Sequence, residues 1–123
     1  MKEANFSELK GKTLIDIKVN HEQDIITFTC DDNTKYRMFH DQTCCESVYI
    51  DDICGNIESL IGTPILIAEE RNTDGLPPKD SYDDSYNWTF YTLATVNGYV
   101  DIRWYGCSNG CYSESVDFEQ ISD

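Results

Sequence analysis

The chain has 123 residues and carries 9 Lys and Arg against 23 Asp and Glu, which gives a formal net charge of −14. This charge argues against direct binding to nucleic acid or to anionic membranes, because both need clusters of basic side chains. The 40% hydrophobic content argues against disorder and predicts one domain over residues 1–123.

The first third predicts a short turn and a meander of strands. Residues 2–11 favour a short helix or turn that ends at Gly11. Apolar and polar residues then alternate over 13–20, and β-branched residues are frequent over 24–30. A further strand is predicted over 34–40, so three strands follow one another through polar turns.

The middle of the chain predicts a strand, a short helix and another strand. Alternation favours a strand over about 47–53, and residues 56–61 predict one or two helical turns closed by Gly62. Asn56 is suited to the N-cap because its side-chain oxygen can accept a free first-turn N–H. The next strand is predicted over 65–69.

The last third predicts a long loop followed by a hairpin. Gly, Pro, Asp and Ser dominate residues 71–87, and connections of this length are usually functional or disordered. The strands 88–95 and 99–106 flank Asn97-Gly98, a pair typical of a type I′ turn.

A final strand is predicted within residues 111–121. The sum is an α+β class: one β-rich domain of antiparallel hairpins, with about seven strands and one or two short helices.

The start of the chain and its apolar runs bear on location. No stretch of eighteen apolar residues exists, and residues 1–12 lack the apolar segment of a signal peptide. We therefore expect a cytoplasmic protein whose six cysteines are reduced, and we prefer this to a disulfide framework.

The charge is unevenly distributed along the chain. Residues 1–37 hold six basic and seven acidic residues, a net charge of −1, whereas residues 38–123 hold three and sixteen, a net charge of −13. Seven acidic residues and no basic residue lie between Arg37 and Arg71. We therefore expect an acidic face over residues 41–87 that captures a basic protein partner.

Aromatic residues are frequent in the final third, where they can fill a core or form an interface. We assign Phe90, Trp104 and Phe118 to the core. The residues that we predict to bind a partner are acidic or tyrosine side chains: Asp41, Glu46, Asp51, Asp52, Glu69, Glu70, Asp80, Tyr82, Asp83, Asp84, Tyr86, Tyr105 and Tyr112.

Several cysteines lie near one histidine and raise the question of zinc. His40, Cys44 and Cys45 are close in sequence, and Cys107 with Cys111 could supply a second half of such a site. Structural zinc sites use paired C-x₂₋₄-C spacings, whereas this spacing is loose, so buried thiols are the preferred interpretation and no cofactor is expected.

Two further kinds of chemistry are weakly indicated. Asp80, Asp83 and Asp84 could hold Ca²⁺, but the EF-hand pattern is absent and a solvated loop is preferred. Cys44 or Cys45 could act as a nucleophile, but an acidic neighbourhood raises the pKa of a thiol. We therefore expect no enzyme activity.

Two stretches, residues 39–70 and 98–118, carry the motifs HDQ-x-CCESV and RWYG-x-SNG-x-YSESV. They resemble a family of small uncharacterised proteins of bacteriophage and prophage genomes, which has no assigned activity. The family pattern differs at Cys107 and Cys111, which argues against a four-ligand zinc site.

This resemblance implies a phage protein that acts in the host cytoplasm. We expect it to bind a host protein with a basic surface, and to inhibit a host defence in the manner of an anti-CRISPR protein by imitating nucleic-acid phosphates. The alternative is a small metal-binding protein or a metal- or thiol-dependent enzyme that uses His40, Cys44, Cys45 and Glu46. The sequence does not indicate the oligomeric state.

Overall fold

Alternation of apolar and polar residues along most strands builds two antiparallel sheets that pack face to face. The computed structural model describes residues 2–40, 46–73, 76–77, 79, 85–108 and 115–122. The strands in this part of the chain are β1 (Lys2–Glu3), β2 (Leu14–Val19), β3 (Ile25–Cys30), β4 (Lys35–Phe39), β5 (Glu46–Cys54), β6 (Ile67–Thr73), β7 (Ser85–Thr95), β8 (Gly98–Ser108) and β9 (Asp117–Ser122).

The strands divide into a five-stranded and a four-stranded sheet. The first has the order β1-β9-β4-β3-β2 and the second β5-β8-β7-β6, and every pairing is antiparallel. The predicted meander of three consecutive strands is confirmed as β2-β3-β4. The β1–β9 pair brings the first and last described strands together. In these strand orders, β1 is an edge strand of the first sheet and β6 is an edge strand of the second.

The inner faces of both sheets form one hydrophobic core. The Trp104 indole N–H points across it and donates to the Met38 sulfur at 3.1 Å, and the ring of Phe118 stacks on Tyr36. The predicted core positions of Trp104 and Phe118 are confirmed. The prediction for Phe90 is wrong, because its side chain lies on the outer face beneath the Arg71 guanidinium.

The helical part of the predicted α+β class is reduced to two 3₁₀ turns, Phe6–Leu9 and Ile57–Leu60. Asn56 caps the second turn by accepting from the Glu58 N–H at 3.0 Å, as predicted. Each turn is only four residues long, which is typical of the 3₁₀ form. The described chain is therefore mostly β, and the predicted count of about seven strands was low.

The predicted hairpin is present and longer than expected, since β7 and β8 have eleven residues each. Its loop is Val96-Asn97, because Thr95 pairs with Gly98. Neither loop residue has the positive φ that a type I′ turn requires, so that turn prediction is wrong; Gly98 has φ 156°. The strands also extend into the predicted loop 71–87.

Candidate functional site

The outer face of the four-stranded sheet is organised in cross-strand rows. Ile67, Ala94 and Tyr99 are direct partners across β6, β7 and β8, and Glu69, Thr92 and Asp101 form the next row. We call these two rows the hairpin-end surface, since they lie beside the β7–β8 loop.

The apolar row of the hairpin-end surface is open to solvent. Tyr99 is 59% exposed and Ile67 is 41% exposed, and Val96 at the adjacent loop is 74% exposed. The Asp101 carboxylate beside Tyr99 raises the pKa of the phenol. Exposed apolar side chains beside carboxylates are suited to contact with another protein.

The other half of the same face is covered by the chain itself. Trp88 and Tyr105 are buried although they lie outside the main core. The Trp88 indole N–H donates to the Pro77 carbonyl at 3.1 Å, and the Lys79 N–H donates to the Tyr105 hydroxyl at 3.2 Å. The described part of the predicted loop therefore packs on the sheet. Tyr105, one of the residues that we predict to bind a partner, is buried there and is not exposed.

Asp51 lies at the centre of a charged cluster on this covered half. The Arg103 guanidinium lies 2.8 Å from its carboxylate, and the Lys79 ammonium forms a second ion pair with it. Partial burial acts to raise the pKa of Asp51, but the two cationic hydrogen bonds outweigh burial and the pKa is lowered. Asp51 is thus neutralised within the fold.

The predicted acidic residues do not share one surface. The Glu46 side chain is 1% exposed and that of Asp52 is 51% exposed. Glu69 and Glu70 are successive residues of β6 and so project from opposite faces of the sheet. Among the described residues, the expected continuous acidic face over 41–87 is therefore not found.

Tyr86 is half-buried, and its ring stacks against that of Tyr105 at a centroid distance of 6.4 Å. The remaining predicted residues lie outside the described part of the chain: Asp41, Cys44, Cys45, Asp80, Tyr82, Asp83, Asp84, Cys111 and Tyr112.

A cleft of about 260 Å³ opens where the edge strand β6 faces the β1–β9 pair. Four carboxylic residues line it: Glu3, Glu70, Asp117 and Glu119. Phe6 and Phe118 supply apolar wall. Burial raises the pKa of Glu70. We call this the edge cleft.

A buried hydroxyl lies beside the edge cleft. Tyr91 is fully buried, its ring contacts Phe6 at a centroid distance of 4.6 Å, and no described residue forms a hydrogen bond with its hydroxyl. Burial raises the pKa of Tyr91, and the nearby Glu70 and Asp117 raise it further. An unsatisfied buried hydroxyl costs about 1–3 kcal/mol, so this arrangement calls for a functional explanation.

His40 and Glu46 form a second buried polar pair. The His40 Nδ1–H donates to the Ser115 carbonyl at 2.7 Å, so in the neutral ring Nε2 carries the lone pair. Nε2 is buried, has no hydrogen-bond partner within the described ranges, and lies 3.9 Å from Glu46 Oε1. In the described residues, no group of three His, Cys, Asp or Glu is arranged to hold a metal ion.

Three described cysteines, Cys30, Cys54 and Cys107, form no disulfide, and the surroundings of Cys54 and Cys30 are poorly suited to nucleophilic chemistry. A hydrogen bond to Asp52 and its negative charge raise the pKa of the exposed Cys54 thiol. Burial raises the pKa of Cys30. Neither thiol has the electropositive setting that stabilises a thiolate.

Sequence reasoning named Glu69 and Glu70 but missed the other residues of the two surfaces. Alternation along residues 98–105 could have placed Tyr99 and Asp101 on one face. Glu3 joins the edge cleft through the β1–β9 pairing, and Asp117 lies on β9 opposite Phe39 of β4; neither pairing has a local sequence signal.

Within the described ranges, no helix is both long and apolar enough to cross a membrane. A family model described as a domain of unknown function (DUF7448) matches residues 7–118. Searches of the curated proteins and of the solved structures gave no match.

Proposed function

We propose that this chain, which belongs to the DUF7448 family, is a binding module that docks on a basic surface of another protein. In this proposal the chain is a bacteriophage protein that acts in the host cytoplasm. Its partner is a host protein, such as a component of a defence system. The partner contacts a compact docking surface of the chain and not a long row of carboxylates that imitates nucleic-acid phosphates, because the described carboxylates do not form a continuous array.

The observation that supports this proposal most is the exposed Ile67–Ala94–Tyr99 row next to Glu69 and Asp101. Tyr is among the residues that contribute most to binding energy at protein interfaces. Carboxylates beside such an anchor favour basic partners and speed their association.

The cations of the chain also favour this proposal. Five basic side chains already face carboxylates of the chain itself: Lys12, Lys18, Arg37, Lys79 and Arg103. The net charge of −14 means that acidic side chains far outnumber basic ones, so many carboxylates have no basic side chain of the chain with which to pair. A basic partner supplies the missing charge.

A capture experiment tests this function. Tagged chain is exposed to host lysate at low and high salt, and captured proteins are identified by mass spectrometry. We expect basic proteins that are lost at high salt, and we expect the Ile67→Thr, Tyr99→Ser double variant to capture much less.

Ile15→Thr is the matched control, since Ile15 is 56% exposed on β2 in the other sheet. It should capture the same proteins as the wild type. Equal capture by the double variant, or capture that salt does not weaken, would contradict docking through the hairpin-end surface.

A second function, metal binding, is favoured by the His40–Glu46 pair. A buried Nε2 lone pair beside a carboxylate, with Nδ1–H held by a backbone carbonyl, is the arrangement of many metal-ligating histidines. Elemental analysis of the purified chain, with His40→Gln as comparison, tests this. This function would be ruled out if the wild type contains only a fraction of one equivalent of metal and the His40→Gln variant contains the same amount.

A further inference from the structure

The edge cleft is separate from the hairpin-end surface, because Glu70 and Glu69 project from opposite faces of β6. At about 260 Å³ it is much larger than the ~30 Å³ that one water occupies in the liquid. It can therefore admit a whole side chain of a partner.

The charges that line the edge cleft are mostly uncompensated. Glu119 faces Arg37 at 3.6 Å across the strands, but its other cross-strand neighbour is Glu3, a like charge. For Glu70 and Asp117, the described side chains include no ion-pair partner. Like charges held opposite one another are unfavourable unless a cation lies between them.

The Tyr91 hydroxyl gives a second and independent indication of a ligand. It is completely buried, it has no hydrogen-bond partner among the described residues, and its charged neighbours are Glu70 and Asp117, which both line the cleft. Tyr91 is the direct cross-strand partner of Glu70 but does not itself line the cleft, so a ligand with several N–H donors that pairs with the two carboxylates reaches this oxygen only when the cleft wall shifts.

A metal ion fits this site less well than a cationic side chain. Metal ions need three or more ligand atoms that converge at about 2–2.6 Å, and no such group of side chains is present in the described part of the molecule. A guanidinium is planar and has five N–H donors, so it can bridge carboxylates that do not converge on a point.

We infer that the edge cleft binds the guanidinium of an arginine side chain of the partner, held by the carboxylates of Glu70 and Asp117, and that a small shift of the cleft wall on binding brings the buried Tyr91 hydroxyl into contact with it. This inference rests on the proposed preference for a basic partner, and it names the group that the partner inserts. It adds a specific anchor to the less specific attraction of the hairpin-end surface.

Titration of the purified full chain with a short peptide tests the inference. The probe is acetyl-Gly-Arg-Gly-amide, and its neutral counterpart carries citrulline in place of arginine. Two-dimensional ¹H–¹⁵N NMR spectra should show saturable shifts at residues 3–6, 69–71 and 116–119 with the arginine peptide. Citrulline peptide that shifts the same residues equally would overturn the inference.

Variants separate a specific site from general charge attraction. We expect Glu70→Gln with Asp117→Asn to weaken binding of the arginine peptide roughly tenfold, a change of about 1.4 kcal/mol. Glu22→Gln with Glu58→Gln changes the net charge by the same amount at exposed positions elsewhere and should leave affinity nearly unchanged. Equal weakening by both pairs would overturn a specific cleft site.

Tyr91→Phe keeps the ring in the core and removes only the hydroxyl that lacks a partner, so this variant should fold at least as well as the wild type. We expect it to weaken peptide binding two- to threefold, roughly 0.5 kcal/mol. Unchanged affinity would exclude the hydroxyl from the site.

The two proposals fail in different ways. No binding of the arginine peptide, with salt-sensitive capture intact and dependent on Tyr99, would overturn the cleft alone. Peptide binding at the cleft, with capture unaffected by the Ile67→Thr, Tyr99→Ser variant, would overturn docking through the hairpin-end surface alone.

Discussion

The indole N–H of Trp88 donates a hydrogen bond to the carbonyl oxygen of Pro77 at 3.1 Å, across a segment rich in Gly, Pro and Asp. Together with the bond from the Lys79 N–H to Tyr105, it fixes two described points of this connection on the outer face of the sheet. The connection therefore divides that face into a covered half and the open hairpin-end surface.

Replacement of Trp88 by Phe should release this connection locally. The variant removes one partly buried hydrogen bond and some ring volume, so we expect a loss of about 1–2 kcal/mol in the free energy of unfolding. Amide exchange at Lys79 should also accelerate, because its anchor next to Pro77 is weakened.

Tyr86→Phe is the control for Trp88→Phe. It changes a half-buried ring on the same strand and should alter stability by less than about 0.5 kcal/mol. Unchanged amide exchange at Lys79 in Trp88→Phe would show that the connection is held by other contacts.

Asp51→Asn should destabilise the chain in a pH-dependent manner. The pKa of Asp51 is lower in the folded chain than in the unfolded chain, so its stabilisation is complete above the unfolded value of about 4. It is lost as the pH falls through the lower, folded value. We therefore expect a loss of about 1–2 kcal/mol at pH 7 that shrinks below about pH 4.

Chemical denaturation of wild type and Asp51→Asn between acidic and neutral pH measures this effect. The neighbouring Asp52→Asn is the comparison, since that side chain is 51% exposed and lies 3.8 Å from Arg103. It should change stability by only a few tenths of a kcal/mol. A loss for Asp51→Asn that stays constant with pH would contradict the ion-pair explanation.

The parts of the fold that sequence predicted are those fixed by local pattern. Strand alternation and short polar turns specified β2-β3-β4, and Asn56 identified the cap of its 3₁₀ turn. The turn remained 3₁₀ because only four residues separate the Asn56 cap from Ile61, which returns to extended backbone.

The site depended on contacts between distant residues, and these gave no sequence signal. A register irregularity between Ile50 and Asp52 places Asp51 beside Arg103, more than fifty residues away. Pairing of β1 with β9 likewise brings Glu3 to the cleft that Glu70 lines. Acidity along the sequence therefore predicted charge but not the surface that presents it.

Gly55→Ala should be strongly destabilising because two requirements coincide there. Its φ is +108°, and a Cβ would lie 2.5 Å from the Tyr99 carbonyl oxygen, a backbone atom. Gly11 also has a positive φ of +88°, but a Cβ there meets nothing within 4 Å. The comparison of the two variants isolates the effect of the close approach.

We expect Gly11→Ala to lose about 1–2 kcal/mol, the usual penalty for an L-residue in the left-handed region. Gly55→Ala should lose at least about 1 kcal/mol more, because backbone at the start of β8 must move. Urea denaturation measures both values. Equal losses would show that the chain near Tyr99 shifts without resistance.

Glu70→Gln should stabilise the chain at neutral pH, unlike most polar substitutions. The pKa of Glu70 is raised by burial, so the folded state disfavours its carboxylate, and stability is lost as the pH rises through that raised value. We expect a gain of a few tenths of a kcal/mol at pH 7 that vanishes at about pH 3.5, measured by thermal unfolding. Glu69→Gln, on the opposite face of β6, is the matched control. If Glu70→Gln is more stable than the wild type at pH 7 and binds the arginine peptide more weakly, Glu70 is kept for binding at the expense of stability. If the variant is less stable at pH 7, a cation of the chain already compensates the charge of Glu70.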